Sequence, residues 1–395
     1  MRMTLTNKIH KFLCLSIFYF LFINSVNAQL DSLPLNNDNA FLINSKVLNE
    51  QRSIWIHLPE DYYSTTQTYP VLYLLDGEGH FKYVSELVEY LSSYDRNRIP
   101  QMIVVAILNV DRTRDFTPIH SLFFGGKVDS SLMATTGGGA KFLQFIQTEV
   151  IPFIDSSYRV QPYRILATHS LGGTFGLYTK ETNPDLFQST ILMSPAIYGG
   201  NGVILDRFKP FLQKHQSLSG KIFISIGNEN MQTVNTLINQ TKTFAPKTFD
   251  WKFQQYKDEN HFSVTYKSMY DALKFIYKDW FIDNYDTTKL SCKDIQLHFD
   301  KLSREFGYTI YPTEDLMNNA GYKQLNAGNI DAAIEIFKQN TLNFPNSWNV
   351  FDSMGEAYMK KGEKRLAIEN YEKSIALNPN NEDGKAVLKK LKSEK

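Results

Sequence analysis

The chain is poor in cysteine: its 395 residues contain two, Cys14 and Cys292. Cys14 lies in an N-terminal segment that we expect to be removed, so the mature chain keeps Cys292 alone and cannot form an internal disulfide. Its eight histidines are scattered without the close spacing of metal ligands. We therefore expect no metal site and no cofactor.

Long apolar runs are missing after residue 28. The run Phe12–Ile23 follows three basic residues and precedes a small-residue cleavage site that ends at Ala28, which is the pattern of an export signal. It is shorter than the roughly 20 residues that a transmembrane helix needs. The sequence therefore predicts a periplasmic or secreted protein with no membrane span after cleavage; an uncleaved anchor is the alternative.

A strong net charge is missing as well. The formal charge is +1, and it becomes −2 once residues 1–28, with three basic residues and no acidic ones, are removed. This balance gives no indication of nucleic-acid binding. What the chain does have is 43% hydrophobic and 14% aromatic residues, enough for a large core in two or three domains.

From Phe41 to Trp280, strand-like runs alternate with amphipathic helical ones. The predicted strands are QRSIWIHL, PVLYLLD, MIVVAIL, RILAT, STILMS, KIFISI and WKFQQYK. This alternation predicts a three-layer α/β sandwich with a mostly parallel sheet and helices on both faces. In such a sheet, ligands bind at the carboxyl ends of the strands.

The C-terminal part has no strand-like runs. A helix begins at Ser291, ends before Gly307 and should bury the Cys292 thiol. A 34-residue repeat then matches Gly321 with Gly355 and Phe337 with Tyr371, which resembles two tetratricopeptide repeats; DGKAVLKKLK would be the capping helix.

The predicted organisation is a signal peptide at 1–28, an α/β sheet domain at 29–283, a linker helix at 284–312 and an all-α repeat domain at 313–395. Two repeats are fewer than a free solenoid needs, so we expect them to pack on the linker helix or on the sheet domain. The repeats could bind a protein partner or mediate self-association. They could equally be a structural appendage.

The stretch LATHSLGG, residues 166–173, contains the candidate nucleophile Ser170. A strand, a sharp turn and a helical pattern follow one another there, as in the G-x-S-x-G nucleophile elbow, except that Thr168 replaces the first glycine. A side chain at this position hinders the close approach of strand and helix. Threonine is small enough to be accommodated with a slight shift.

A serine hydroxyl needs a base, and the base needs a carboxylate. Hydrolases on this type of sheet carry them in the order serine, acid, histidine. His261, after the last predicted strand, is the candidate base. His120 precedes both other groups and is a weaker candidate, as is His169, whose side chain we expect the turn to direct away.

The candidate acid is Glu229, on the loop that follows the strand KIFISI. Asp258 and Glu259 are nearer to His261 in sequence, but the acid usually comes from a neighbouring strand end. We expect these two carboxylates to lie in a solvated turn.

The oxyanion of the intermediate needs two backbone donors. The N–H of Leu171, directly after the nucleophile, is one candidate. The other is the N–H of Glu78, in the loop Asp76–Gly79. Asp76 itself is expected to make a structural hydrogen bond in that turn.

With these residues assembled, residues 41–280 resemble the putative esterase family of the α/β-hydrolase fold. The resemblance rests on YPVLYLLDGEGHF, VDRTRDFTP, GGGAKFLQFIQTEVIPFID, THSLGG and ENHFSV. The family includes enterobactin and bacillibactin esterases, S-formylglutathione hydrolases, feruloyl and acetylxylan esterases and mycolyltransferases. The resemblance implies a serine esterase that cleaves carboxylic esters.

The substrate is left open by the sequence. Arg112 and Arg114 could bind an acidic or catecholate substrate, or form ion pairs with Asp111 and Asp115 that order their loop. We favour an acylated carbohydrate or another small or oligosaccharide ester, with a siderophore lactone next and acyl transfer third. A reading from another class makes the hydrolase half an inactive scaffold whose repeats bind a partner.

Overall fold

The computed structural model describes residues 38–393 apart from 61, 64, 94–95, 125–126, 198–201 and 283–290. The predicted signal peptide, residues 1–28, lies outside the described residues. The chain divides into two compact units. The first contains the stretch that ends at Leu91 and Pro100–Ile276, and the second contains Ser92–Ile99 and everything from Tyr277 onward. The first unit thus ends before the predicted boundary at residue 283.

The first unit is built on one large sheet. Its strands are β1 (Asp38–Ser45), β2 (Glu50–His57), β3 (Tyr69–Leu74), β4 (Ile103–Ile107), β7 (Val160–His169), β8 (Ser189–Met193), β9 (Gly220–Ile226) and β10 (Phe249–Gln255), and a separate small hairpin contains β5 (Phe123–Phe124) and β6 (Lys127–Val128). The order in the sheet is β1-β2-β4-β3-β7-β8-β9-β10. Antiparallel pairing links β1 to β2 and β2 to β4, and all later neighbours are parallel. The mostly parallel sheet predicted from the sequence is confirmed.

The central strands are covered on both faces. Every residue of β3, β4 and β8 is buried, and because successive side chains point to opposite faces, each face must be packed against other elements. All seven predicted strands are present, and β1 is an eighth strand at the sheet edge that the sequence analysis did not include.

Helices fill the connections of the sheet. They are α1 (Gly77–Ser92), α2 (Arg112–Phe116), α3 (Gly139–Phe145), α4 (Ile151–Ser157), α5 (Leu171–Thr182), α6 (Val203–Lys214), α7 (Gln232–Phe244) and α8 (Val264–Ile276), with a π-helical turn at Ile146–Val150. A buried aromatic cluster joins three of them: the Phe142 ring lies 5.7 Å from Phe116 and 5.1 Å from Phe175. This cluster packs α2, whose loop faces the strand ends, against α5.

The second unit is helical. Its helices are α9 (Cys292–Phe306), α10 (Glu314–Asn326), α11 (Ile330–Asn343), α12 (Trp348–Lys361), α13 (Lys364–Leu377) and α14 (Glu382–Ser393). The predicted bounds of α9 are confirmed: Ser291 and Asp294 form a capping box, and Gly307 ends the helix with φ of 77°. The expected burial of the Cys292 thiol is only partly realised, because the first turn of α9 leaves the residue half-buried.

The repeat prediction is confirmed by the packing of α10 to α13. A Cβ on Gly321 would lie 2.4 Å from the Phe337 ring, and one on Gly355 would lie 3.0 Å from the Tyr371 ring. Each matched glycine therefore lets an aromatic ring of the following helix approach the backbone closely. In the part of the chain that the structure describes, none of the helices has the length and apolarity needed to cross a bilayer.

Candidate active site

Three side chains from different strand ends meet at one edge of the sheet. Ser170 follows β7, Glu229 follows β9 and His261 follows β10, and these strands are parallel, so their carboxyl ends lie together. His261 Nε2 is 2.9 Å from Ser170 Oγ, and His261 Nδ1 is 2.5 Å from Glu229 Oε2. The structure thus brings together the three residues predicted from the sequence.

Ser170 occupies a strained turn between β7 and α5. Its φ is 57°, a left-handed value that is costly for a residue with a Cβ. The turn is held by main-chain bonds: Ser170 N–H donates to Met193 O, and Ser170 O accepts from Gly173 and Ala196 N–H. The neighbouring strand β8 and the chain after it therefore stabilise the elbow that exposes the hydroxyl.

Thr168, which replaces the first elbow glycine, is fully buried. Its hydroxyl donates to Ile191 O on β8 at 2.9 Å. A Cβ on Gly176 of α5 would lie 3.2 Å from both Thr168 Cγ2 and Oγ1. The space that a glycine at position 168 would leave is thus supplied by Gly176, which explains how threonine fits here.

Two hydrogen-bond donors position the Glu229 carboxylate through Oε1, the oxygen that does not contact His261. Oε1 accepts from Ser194 Oγ at 2.7 Å and from Gly227 N–H at 3.3 Å, which leaves Oε2 for His261. Ser194 is buried at the end of β8 with φ of 43°. The sequence analysis did not identify Ser194; its only local signal is its place as the last residue of the predicted strand STILMS.

The carboxylate beside Nδ1 determines the tautomer of His261. Nδ1 must carry a proton to donate to Glu229, so Nε2 is free to accept the proton of Ser170 Oγ. The two loops are tied together because Asn228 N–H donates to Glu259 O at 2.7 Å. The geometry is therefore that of a serine, a base and a carboxylate ready for nucleophilic catalysis.

The other carboxylates near His261 in sequence are engaged elsewhere. Asp258 forms an ion pair with Lys267, and 71% of the Asp258 side chain is exposed. Glu259 lies 2.6 Å from the same ammonium. Neither is placed as the partner of His261. Among the histidines, His120 Nδ1 lies 3.0 Å from Thr136 O, and His120 is not one of the residues that line the cleft.

A cleft of about 450 Å³ opens beside Ser170, lined by Asp76, Gly79, His80, Tyr83, Arg112, His169, Ser170, Phe262 and Thr265. The expectation that His169 points away was wrong. Its Nε2 donates to the main-chain oxygen of His261 at 2.8 Å, and the two rings lie 4.9 Å apart. The position of a histidine directly before Ser170 was the only signal for this contact.

Burial determines the charge of the two additional histidines in the cleft. It lowers the pKa of His169 to about 4 and also lowers the pKa of His80. Their rings stand perpendicular, 5.4 Å apart. Both are therefore neutral at neutral pH, and neither adds positive charge beside Ser170.

The predicted oxyanion residues lie at two helix starts. Leu171 is the first residue of α5 and Glu78 is in the first turn of α1, where backbone N–H groups have no partner within the helix. The Glu78 carboxylate accepts a hydrogen bond from Asn109 Nδ2 at 2.7 Å, so the side chain is engaged with Asn109 and only the backbone N–H is a candidate oxyanion donor. Gly79, the next residue, lines the cleft.

Arg112 holds the loop before α1. Its Nε and Nη2 donate to the Asp76 carboxylate at 2.6 and 3.0 Å, and Nη2 also reaches His169 O at 3.3 Å. The ion pair expected with Asp111 is not formed; that residue instead caps α2. Because Arg112 is 35% exposed and lines the cleft, it can also meet a substrate.

Arg114 belongs to a different network. Its guanidinium donates to Glu50 at 2.6 and 3.0 Å and to Asp115 at 2.8 Å. Asp115 in turn accepts from the fully buried Arg52 at 2.7 Å. Arg114 is not among the cleft residues, so the structure supports the loop-ordering alternative for it and not contact with substrate.

The sequence matches known families in both parts. Residues 45–274 match the family described as Putative esterase, and residues 348–381 match a tetratricopeptide repeat. The ferri-bacillibactin esterase BesA of Bacillus subtilis is 30% identical over 180 residues, which cover 43% of this chain and 58% of that protein. The chain thus spans less than two thirds of that relative's length.

Solved structures show the same fold. An IroE-like serine hydrolase from Shewanella oneidensis, 26% identical, covers 78% of this chain and 99% of its own with a TM-score of 0.69. An uncharacterised protein from Capnocytophaga ochracea is 15% identical, covers 90% of this chain and 100% of its own, and has a TM-score of 0.62. The second likeness concerns the fold alone.

Proposed function

The chain belongs to the putative esterase family, and we propose that it is an exported serine esterase that hydrolyses a carboxylic ester through an acyl-enzyme on Ser170. The observation that carries the proposal is the chain of contacts from Ser170 Oγ through the His261 ring to Glu229, at 2.9 and 2.5 Å. The family and the likeness to a serine hydrolase support ester hydrolysis in general.

In the proposed mechanism, His261 Nε2 takes the proton of Ser170 as Oγ attacks the ester carbonyl. The N–H groups of Leu171 and Glu78 would stabilise the oxyanion. His261 then donates its proton to the leaving alcohol, and a water activated by the same nitrogen hydrolyses the acyl-enzyme. Glu229 stabilises the imidazolium formed in each step.

The test is Ser170→Ala in the mature chain. Loss of activity on a simple activated ester, with an unchanged circular dichroism spectrum, is expected because only the nucleophile is removed. A serine-directed phosphonate should label Ser170 and no other residue of the wild type. Full activity in the variant would exclude the serine mechanism, and an unlabelled, inactive wild type would favour the non-catalytic scaffold.

Two substrate classes remain to be separated. An acylated carbohydrate fits the general esterase proposal, whereas a siderophore ester is supported by the similarity to a ferri-bacillibactin esterase. A cleft that contains Arg112 is also suited to a catecholate or another acidic group. We therefore favour the siderophore ester. A panel of acetyl and feruloyl carbohydrate esters beside a ferric triscatecholate lactone decides between the classes.

Export and partner binding complete the proposal. Residues 1–28 carry the sequence pattern of a signal peptide, and N-terminal sequencing of the mature protein should begin at Gln29. The repeats, which match a tetratricopeptide family at 348–381, are proposed to bind a protein partner or to mediate self-association.

A further inference from the structure

The aromatic side chain of Phe262, in the cleft, is largely exposed to solvent. Phe262 is 78% exposed although it lines the cleft directly beside the nucleophile. Its ring stands perpendicular to that of His261 at 5.2 Å. Tyr83 lines the same cleft, and its ring lies 5.7 Å from Tyr266, which is 54% exposed. Of these rings, Phe262 is the one that is both exposed and part of the cleft lining, and an exposed aromatic side chain in a cleft is characteristic of a ligand-binding surface.

The position of Phe262 indicates which part of an ester it would meet. In the proposed mechanism, His261 Nε2 donates a proton to the oxygen of the leaving alcohol, so this oxygen lies within hydrogen-bond distance of the imidazole. A group attached to that oxygen would therefore lie close to the His261 ring. Phe262 packs against this ring, so it is adjacent to the alcohol side of the ester and not to the acyl side.

The rings around the cleft favour an aromatic group there. His80 stands at 90° to Tyr83 and at 88° to His169, and Phe262 stands at 87° to His261. Perpendicular contacts of this type are one of the two arrangements, edge-to-face and offset-stacked, that aromatic pairs prefer. A planar aromatic ring can extend this set of contacts against the exposed face or edge of Phe262, whereas a short alkyl group cannot.

We propose that Phe262, together with Tyr83, forms a binding site for an aromatic ring on the alcohol side of the ester. The inference rests on the proposed serine esterase function and adds to it the chemical class of one half of the substrate. It assigns Phe262 a role in specificity and no role in proton transfer.

The experiment compares benzyl acetate with ethyl acetate in the mature wild type and in Phe262→Ala. Both esters form the same acetyl-enzyme, so a difference between them arises in acylation alone. The ratio of kcat/KM for the benzyl over the ethyl ester should fall about tenfold in Phe262→Ala, since aromatic contacts of this kind contribute on that scale. Phe262→Leu, which keeps apolar volume without the ring, should lower the ratio as well.

Two controls locate the effect. The ratio for ethyl phenylacetate over ethyl acetate, which places the ring on the acyl side, should stay within about twofold in Phe262→Ala. Tyr63→Ala removes an aromatic ring that is 77% exposed and is not among the cleft residues, and it should leave both ratios unchanged. A benzyl-to-ethyl ratio that is unaltered in Phe262→Ala and Phe262→Leu would overturn the proposal.

A binding measurement separates this inference from the proposed function. Saturation-transfer NMR on Ser170→Ala should detect benzyl acetate, and the signal should weaken in Ser170→Ala with Phe262→Ala. If the wild type hydrolyses no ester but this signal depends on Phe262, the esterase proposal fails and the aromatic site stands. If esters are hydrolysed without a Phe262-dependent preference for the ring, the aromatic site fails alone.

Discussion

At the scale of residues, Glu229 and Asp258 illustrate how position in space outweighs closeness in sequence. Asp258 is only three positions from His261, yet its carboxylate pairs with Lys267 at the surface. Glu229 is 32 positions away and lies 2.5 Å from the imidazole. The difference arises because β9 and β10 are neighbours in the sheet, so the loops at their ends are adjacent.

This contrast gives a prediction with a matched control. Glu229→Gln should lower kcat by orders of magnitude, on the scale of about 10⁴ for the equivalent change in a serine protease, because the amide no longer stabilises the working tautomer and the imidazolium. Asp258→Asn changes the same charge nearby and should keep kcat. Steady-state kinetics on a small activated ester measures both; a small loss in Glu229→Gln with a large loss in Asp258→Asn would reassign the acid.

At the scale of elements, the contact between β7 and α5 determines whether the elbow can carry a threonine. Thr168 occupies the strand position that is a glycine in G-x-S-x-G, and Gly176 lies opposite it on the helix. A side chain can be placed on one of the two elements when the other has none. The close approach that the elbow requires is therefore preserved with the glycine on the other element.

The two positions should be coupled. Gly176→Ala would bring a Cβ to 2.9 Å from Leu192 and 3.2 Å from Thr168, which should cost about 1–3 kcal/mol of stability through overpacking. Part of this cost should disappear in the Thr168→Gly background, where one of the crowded neighbours is gone. Urea unfolding of the single and double variants measures the coupling.

Gly172→Ala is the control for this cycle. Its added Cβ would meet its nearest neighbours at 3.6 Å or more, which is ordinary contact. This variant should therefore unfold at the same urea concentration as the wild type or at a slightly higher one. Additive costs for Gly176→Ala and Thr168→Gly would contradict the proposed exchange of space.

At the scale of the whole molecule, every residue assigned to the chemical step belongs to the first unit, between Glu78 and His261. The second unit has its own packing. Within it, the Tyr277 ring stacks on Phe306 of α9 at 5.0 Å, and Trp280 donates to Asn97 at 3.2 Å. A cut placed after α9 therefore keeps these contacts and removes the repeats.

The repeats should be dispensable for the chemical step. A protein of residues 29–312 is expected to hydrolyse a small activated ester with kcat near that of the mature chain, although it can lose stability or self-association. Solubility and circular dichroism are checked first. If the shortened protein is folded but its kcat falls more than tenfold, the repeats shape the active site. If only a bulky substrate is lost, they contribute to its binding.

The sequence by itself determined the secondary-structure elements and the order of the candidate catalytic residues along the chain. Strand and helix periodicities are local, so the seven predicted strands, the caps of α9 and the paired glycines of the repeats could be identified without a structure. Ser170, Glu229 and His261 could be grouped because parallel strand ends meet at one edge of a sheet, whatever the exact register. That rule predicts where the backbone of each loop lies, but it does not predict which side chains contact the loop.

Only the tertiary structure decided which side chains surround that group. Arg112 and Arg114 are two positions apart in one loop, yet one binds Asp76 beside the cleft and the other binds Glu50. The hydrogen bond from Ser194 to Glu229 likewise joins residues that are 35 positions apart, and the bond from His169 to the main-chain oxygen of His261 joins residues that are 92 positions apart. Such partners depend on strand pairing, loop course and rotamer, which are properties of the packed fold and leave no periodic signal in the sequence.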